Sequence, residues 1–146
     1  MPSRMMPLVT LAAMVASCSQ GEPANVPGDA GDSSAFSQIP EDAVIRFTGT
    51  EPFWGGRIEN GTLTYSTPEN IDGVVVPVTR FAGRGGLSFS GEMNGRALDL
   101  AITPAQCSDG MSDRTYPFAA TLQIGQERRE GCAWREGVDS EAPSAQ

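Results

Sequence analysis

Apolar positions across residues 40–136 recur at every second place rather than every third or fourth. That is the spacing of strands with one buried face. The clearest case is LSFSGEM, Asn94-Gly95, RALDLAI. Asn-Gly is the favoured pair for a two-residue hairpin turn, where both residues take positive φ. Folding the chain there sets Phe89 against Leu100, Leu87 against Ile102 and Gly91 against Leu98, and turns Ser88, Ser90 and Asp99 to the other face. Both strands then agree on which face is apolar. Asn60-Gly61 repeats the device, setting Ile58 against Leu63, Gly56 against Tyr65 and Trp54 against Thr67. An aromatic across a facing glycine pins such a pair. The run VVVPVTRF at 74–81 reads as a strand whose internal Pro77 places it at an edge or a bulge. Tyr116, Phe118, Ala120, Leu122 and Ile124 alternate up to a turn at Gly125-Gln126. The return strand from Glu127 fits badly, because that turn sets Arg129 opposite Leu122. With 43–48 in front, about eight short strands predict an all-β domain, a small antiparallel barrel or sandwich. No amphipathic helix is expected after the first segment.

Residues 1–17 carry one positive charge, Arg4, then the apolar run LVTLAAMV at 8–15, then Ala16 and Ser17. This is the layout of a secretory signal peptide, with an apolar core too short to span a bilayer. Val15-Ala16-Ser17-Cys18 resembles a bacterial lipobox. The resemblance implies cleavage before Cys18, diacylglycerol on its sulfur and acylation of its new amino group. Serine rather than aspartate at Ser19 implies sorting to the outer membrane. The alternative is an ordinary cleaved signal in which Cys18 is incidental. Several acyl chains together anchor a protein stably to the membrane. Within residues 18–39, the stretch Ser19 to Gln38 is mostly Gly, Pro, Ser, Ala and acids, with Phe36 the one aromatic. They predict a disordered acidic tether with a reach of about 25 Å. The other nine aromatics lie between Phe47 and Trp134, which puts the β domain at 40–136 and a disordered acidic tail at 137–146.

Composition removes several chemistries. The chain has 146 residues, 10 Lys+Arg, 18 Asp+Glu and no histidine, and every basic residue is arginine. Without His there is no imidazole base or metal ligand, and without Lys no Schiff base or phosphate-loop lysine. A net charge of −8 argues against nucleic acid, whose binding rests on neutralising phosphates. The domain itself is only mildly acidic, with nine Arg against 13 acids.

Cys107 and Cys132 are expected to pair, since export places them in an oxidising compartment. Closing that loop is worth roughly 3.5 kcal/mol in the chain-entropy picture. A reactive dithiol would need C-x-x-C spacing or a neighbouring His or Lys, and the chain has neither.

Four blocks stand out: Gly49-Thr50-Glu51-Pro52-Phe53-Trp54, Tyr65-Ser66-Thr67-Pro68-Glu69-Asn70, the C-x-D-G-M-S-x-x-x-Y-P run from Cys107 to Pro117, and Gly131-Cys132-Ala133. Together they resemble a family of bacterial envelope proteins known as uncharacterised lipoproteins or predicted membrane proteins. Related proteins carry this unit beside META/HslJ-like or MliC-type lysozyme-inhibitor modules. The resemblance implies a compartment and an architecture, and no activity.

The acids Glu51, Glu69, Asp109 and Asp113 offer the two carboxylates of glycoside hydrolysis. In Asp-Gly and Asp-Arg contexts, however, acids more often form turns. Ser108 and Ser112 have no base to activate them. The Ca²⁺ spacing of an EF-hand is missing, and single methionines such as Met93 and Met111 usually pack rather than bind metal. No cofactor or metal is expected. Phe53 and Trp54, as strand neighbours, point to opposite faces. Either one is core and the other exposed, or both are buried after Pro52. Residues 104–114, PAQCSDGMSDR, read as a structureless loop between strands, tied at Cys107. That loop offers Asp109, Met111, Ser112, Asp113 and Arg114 together, with Tyr116 just beyond. Glu51, Phe53 and Trp54 complete the candidate binding set. The expected function is a non-enzymatic, lipid-anchored binding domain for an envelope component or a protein such as a hostile lysozyme. The alternatives are an assembly lipoprotein without a discrete ligand and a weak carboxylate-based hydrolase.

Overall fold

The computed structural model describes residues 34–139. The expected signal peptide, Cys18 and the expected tether up to residue 33 lie outside the described residues. Eight strands follow in order: β1 (Ile45–Thr50), β2 (Phe53–Glu59), β3 (Thr62–Thr67), β4 (Asn70–Ala82), β5 (Leu87–Met93), β6 (Arg96–Ser108), β7 (Thr115–Ile124) and β8 (Glu127–Arg135). Each pairs antiparallel with its neighbours in sequence, and β1 pairs with β8, so the sheet closes into a barrel. Full closure removes every free edge.

The two Asn-Gly turns fix the register. Asn60 and Gly61 have φ of 49° and 72°, Asn94 and Gly95 52° and 75°. Positive φ at both central residues matches the twist of the flanking strands. Phe89 pairs with Leu100, Leu87 with Ile102, Gly91 with Leu98, Ile58 with Leu63 and Gly56 with Tyr65. The β2–β3 ladder ends at Gly55–Ser66, one step short of Trp54 and Thr67. The inward positions, among them Phe47, Leu63, Leu98, Leu100, Ile102 and Leu122, are fully buried and fill the interior.

Three expectations are corrected, and a fourth, awkward pairing is found as the turn sets it. Pro77 lies on no edge and in no bulge. It is the last β4 residue paired with β3, and from Val78 onward β4 pairs with β5. A residue at that handover tolerates the loss of its own N–H. Second, Phe36 belongs to the domain rather than the tether. Its N–H donates to Gly83 O at 2.7 Å, and its ring meets Phe118 edge-on with centroids 6.4 Å apart. Ile39 is buried beside it in the core, and its carbonyl accepts from Arg80 at 2.9 Å. The segment stops the end of the barrel where β1 starts and β8 finishes. At that end Asp139 also leaves the tail, since its carboxylate pairs with Arg135 at 2.7 Å.

Third, residues 104–108 continue β6 rather than opening a loop. The β6–β7 ladder slips between Pro104 and Cys107, then resumes at Cys107–Tyr116 and Ser108–Thr115. Only 109–114 are loop. Fourth, the awkward register of β8 is the real one. Arg129 does face Leu122. At the opposite mouth its guanidinium reaches across to Tyr65 and pairs with Glu127. The polar head stays partly wet while the stem covers apolar wall.

Candidate functional site

Three of the sequence blocks meet on the outer wall. Thr50, at the end of β1, donates its hydroxyl to Asp109 O at 3.3 Å. The β1–β2 turn, with its cis Glu51–Pro52 peptide, is thereby brought against the β6–β7 loop. Cys132 on β8 bonds to Cys107, with Cα atoms 5.6 Å apart. Cys132 is next to Thr48 and Ala119 in the ladders, so the disulfide folds the β6–β7 hairpin back over the outer face. The bridge encloses a groove of about 410 Å³ lined by Thr48, Thr50, Ser108, Asp109, Thr121 and Glu130, among others. Gly131 lets β1 pass close: a Cβ there would run into Thr48 O and the Gly49 backbone.

Asp109 organises the loop. Its Oδ1 accepts the N–H groups of Met111 at 3.0 Å and Ser112 at 2.9 Å. The Ser112 hydroxyl donates to both oxygens, and the Tyr116 hydroxyl donates to Oδ2 at 3.2 Å. The two backbone donors are the chief reason that its carboxyl is held down at about 2. Gly110, at φ 71°, provides the left-handed step of the turn. The C-x-D-G-M-S-x-x-x-Y-P spacing thus has a physical meaning. Cysteine pins the loop, aspartate gathers its amides, glycine turns it, and tyrosine closes it.

This assignment changes what the candidates can do. An aspartate already accepting from two amides and two hydroxyls is ionised and occupied, so it is no general acid. Tyr116 is buried, outside the interior cluster, with its ring 5.0 Å from Trp134. Burial is the main cause raising its hydroxyl above the ordinary value, with the Asp109 charge second. Trp54 is no surface residue. It lies in the core between Phe47 and Tyr65, over Gly49, with its indole nitrogen buried and unpartnered. Phe53 points the other way and is half exposed, so the alternation rule holds and the pair is not buried together.

What remains available around the groove is Glu51 and Phe53 on the turn, with Met111, Asp113 and Arg114 on the loop. Arg114 lies over the Tyr116 ring at 6.0 Å. The acids Glu51, Glu69 and the pair Asp109 and Asp113 sit on three different connections. Among the described residues no group of three or more His, Cys, Asp or Glu side chains could hold a metal ion. A second groove, of about 490 Å³, runs beside the first on the wall of β1–β4. Sequence reading missed it, because most of its residues are the plain outward positions of alternating strands. Compared with known protein families, with characterised proteins and with solved structures, the chain gives no match.

Proposed function

We propose that this chain is a lipid-anchored cell-envelope lipoprotein whose barrel is a non-enzymatic binding module for an envelope component or an envelope-facing protein. One observation carries the reading. Three sequence blocks far apart in the chain are drawn together at one groove, through the Thr50–Asp109 bond and the Cys107–Cys132 disulfide. A loop fixed in advance loses little freedom on binding. The disulfide also suits an oxidising compartment, in keeping with the Val15-Ala16-Ser17-Cys18 lipobox.

The test has two parts. Expressed in a bacterial host, the chain should take up an alkyne-tagged palmitate and partition with membranes, and Cys18→Ser should lose both. Retained membrane partition in a cleaved Cys18→Ser protein overturns the anchor. In the native bacterium, Met111→Glu with Arg114→Glu, both exposed, should keep the melting temperature and lose whatever phenotype follows deletion. Full complementation by that variant would instead favour an assembly lipoprotein with no ligand at this groove.

A further inference from the structure

On the barrel's outer wall the ladders align one row of side chains across four strands. Trp134 of β8 pairs with Arg46 of β1, Arg46 with Arg57 of β2, and Arg57 with Thr64 of β3. The next row runs Thr48, Gly55, Ser66. Gly55 has no side chain, and the row of the arginines stands above it. The result is the groove of about 490 Å³, closed on its far side by Ile71 and Asp72. That volume falls within the range of about 300–1,000 Å³ typical of small-ligand sites.

Two guanidinium groups directly opposite one another repel, and natural sheets avoid such pairs unless something offsets them. Glu59 takes one end of Arg57 at 2.6 Å, but the Arg57 Nε is buried with no partner. Arg46 makes no ion pair or hydrogen bond among the described residues. Asp72 does not fill the gap, having no salt bridge to either arginine. With Arg46 unpartnered and Arg57 held only through Nη2, the two guanidiniums, side by side on a chain of net charge −8, form a local site for an anion. Carboxylate suits the planar guanidinium fork.

The rest of the groove describes what carries that carboxylate. Thr48, Thr64 and Ser66 bring hydroxyls, Asp72 an acceptor, and Trp134 an aromatic wall. Trp134 is held in place from behind by the Tyr116 ring, which Asp109 fixes in turn. The loop that carries the sequence motif therefore braces this wall as well. A peptide laid here would find no strand to extend, since the closed barrel leaves its main chain nothing to pair with. Hydroxyl, carboxylate and aromatic groups around a glycine floor fit the ring face and hydroxyls of a sugar. Thr48 lines both grooves, so the surface continues from one to the other and accommodates a chain rather than a single ring.

We infer that the outer wall of β8, β1, β2 and β3 binds a carboxylate-bearing sugar chain, with Arg46 and Arg57 taking the carboxylate. This goes beyond the reading above and does not depend on the anchor; the carboxylate contact lies outside the Asp109 groove, which the sugar chain reaches only by continuing past Thr48.

Calorimetry on the full-length chain in detergent tests it, with tetragalacturonate as probe. Neutral galactotetraose and hexaglutamate are the comparison probes. Tetragalacturonate should bind, more weakly as salt rises, and the other two should bind at least about tenfold more weakly. Arg46→Gln and Arg57→Gln should each weaken it by about tenfold to a hundredfold, the worth of a charge-assisted hydrogen bond. Phe81→Ala, exposed elsewhere on β4, should leave binding unchanged. Arg46 is half-buried on the outer wall with no partner, so its variant should fold even if the Arg57 variant does not. Absence of tetragalacturonate binding, equal binding of the neutral sugar or of hexaglutamate, or unchanged binding by Arg46→Gln would each overturn the inference. Failure of the unaltered chain to take up palmitate in the earlier experiment would leave it standing.

Discussion

Arg129 Nη1 donates to the Tyr65 hydroxyl at 2.7 Å, joining β8 to β3 across one mouth of the barrel, and its guanidinium lies 5.9 Å from the centre of the same ring. A charged residue on the inward side of a strand looks like an error of register until its partner is seen. The inward positions at a barrel mouth are only half enclosed, and a long side chain there serves as a lid. Arg129→Ala should therefore cost about 1–3 kcal/mol in urea unfolding, from the lost charge-assisted bond and the lost cover. An effect under half a kcal/mol would mean that the contact contributes only on paper.

The same pair sets a titration. Burial is the main cause that raises the Tyr65 hydroxyl above 10.0, and Arg129 pulls it back down. A raised folded-state value adds stability that is present below the unfolded value and fades as pH rises through the folded one. Removing the arginine should push the Tyr65 titration higher still. Ring-carbon NMR of labelled tyrosine, with only two tyrosines to resolve, reads this directly.

Asp109 gives the opposite sign. Its carboxyl is held at about 2, below the ordinary 3.8. Stability from such a group is complete above the unfolded value and disappears as pH falls toward the folded one. The melting-temperature gap between wild type and Asp109→Asn should be constant above about pH 5 and narrow between about pH 4 and pH 2. A gap that persists unchanged at pH 2 would show that the side chain acts by shape and not by charge.

In the interior, Leu100→Ala and Phe89→Ala should each cost about 2–5 kcal/mol, since both side chains are buried where the Asn94-Gly95 register faces them. Reducing Cys107–Cys132 should lower stability by roughly 3.5 kcal/mol. It should also raise amide exchange at Met111 and Ser112 first. Global unfolding on reduction with no earlier local change would place the bridge in the core of the fold instead.

Period and turn chemistry made most of the barrel legible beforehand. Two Asn-Gly pairs flanked by alternating apolar residues determine both sides of their hairpins, because a slip of one place would turn Leu98, Leu100 and Ile102 out to water. Pairing of the cysteines follows from the two that the domain contains and from the expectation of export. Other features needed three dimensions. Phe36 sits in a Gly, Pro and Ser background, and nothing local says that an open barrel end waits for it. Pro77 reads as a breaker because a proline cannot announce that its strand changes partners at that point. The row of Trp134, Arg46 and Arg57 joins the last strand to the first two, so no short window along the chain could contain it.

Closure by β1 against β8 carries one more consequence. Ile45 lies opposite Arg135, and Arg135 Nη1 reaches back to Gln38 O at 3.1 Å, so the two ends of the domain are neighbours. Every strand meets its successor, and the last meets the first, so the topology has no intrinsic beginning. A permuted gene that links residue 139 to residue 34 and opens the chain at Asn94-Gly95 would pass through the same eight ladders in a rotated order. The fold is thus written as a ring, and its linear order is only the place where the ring happens to be cut.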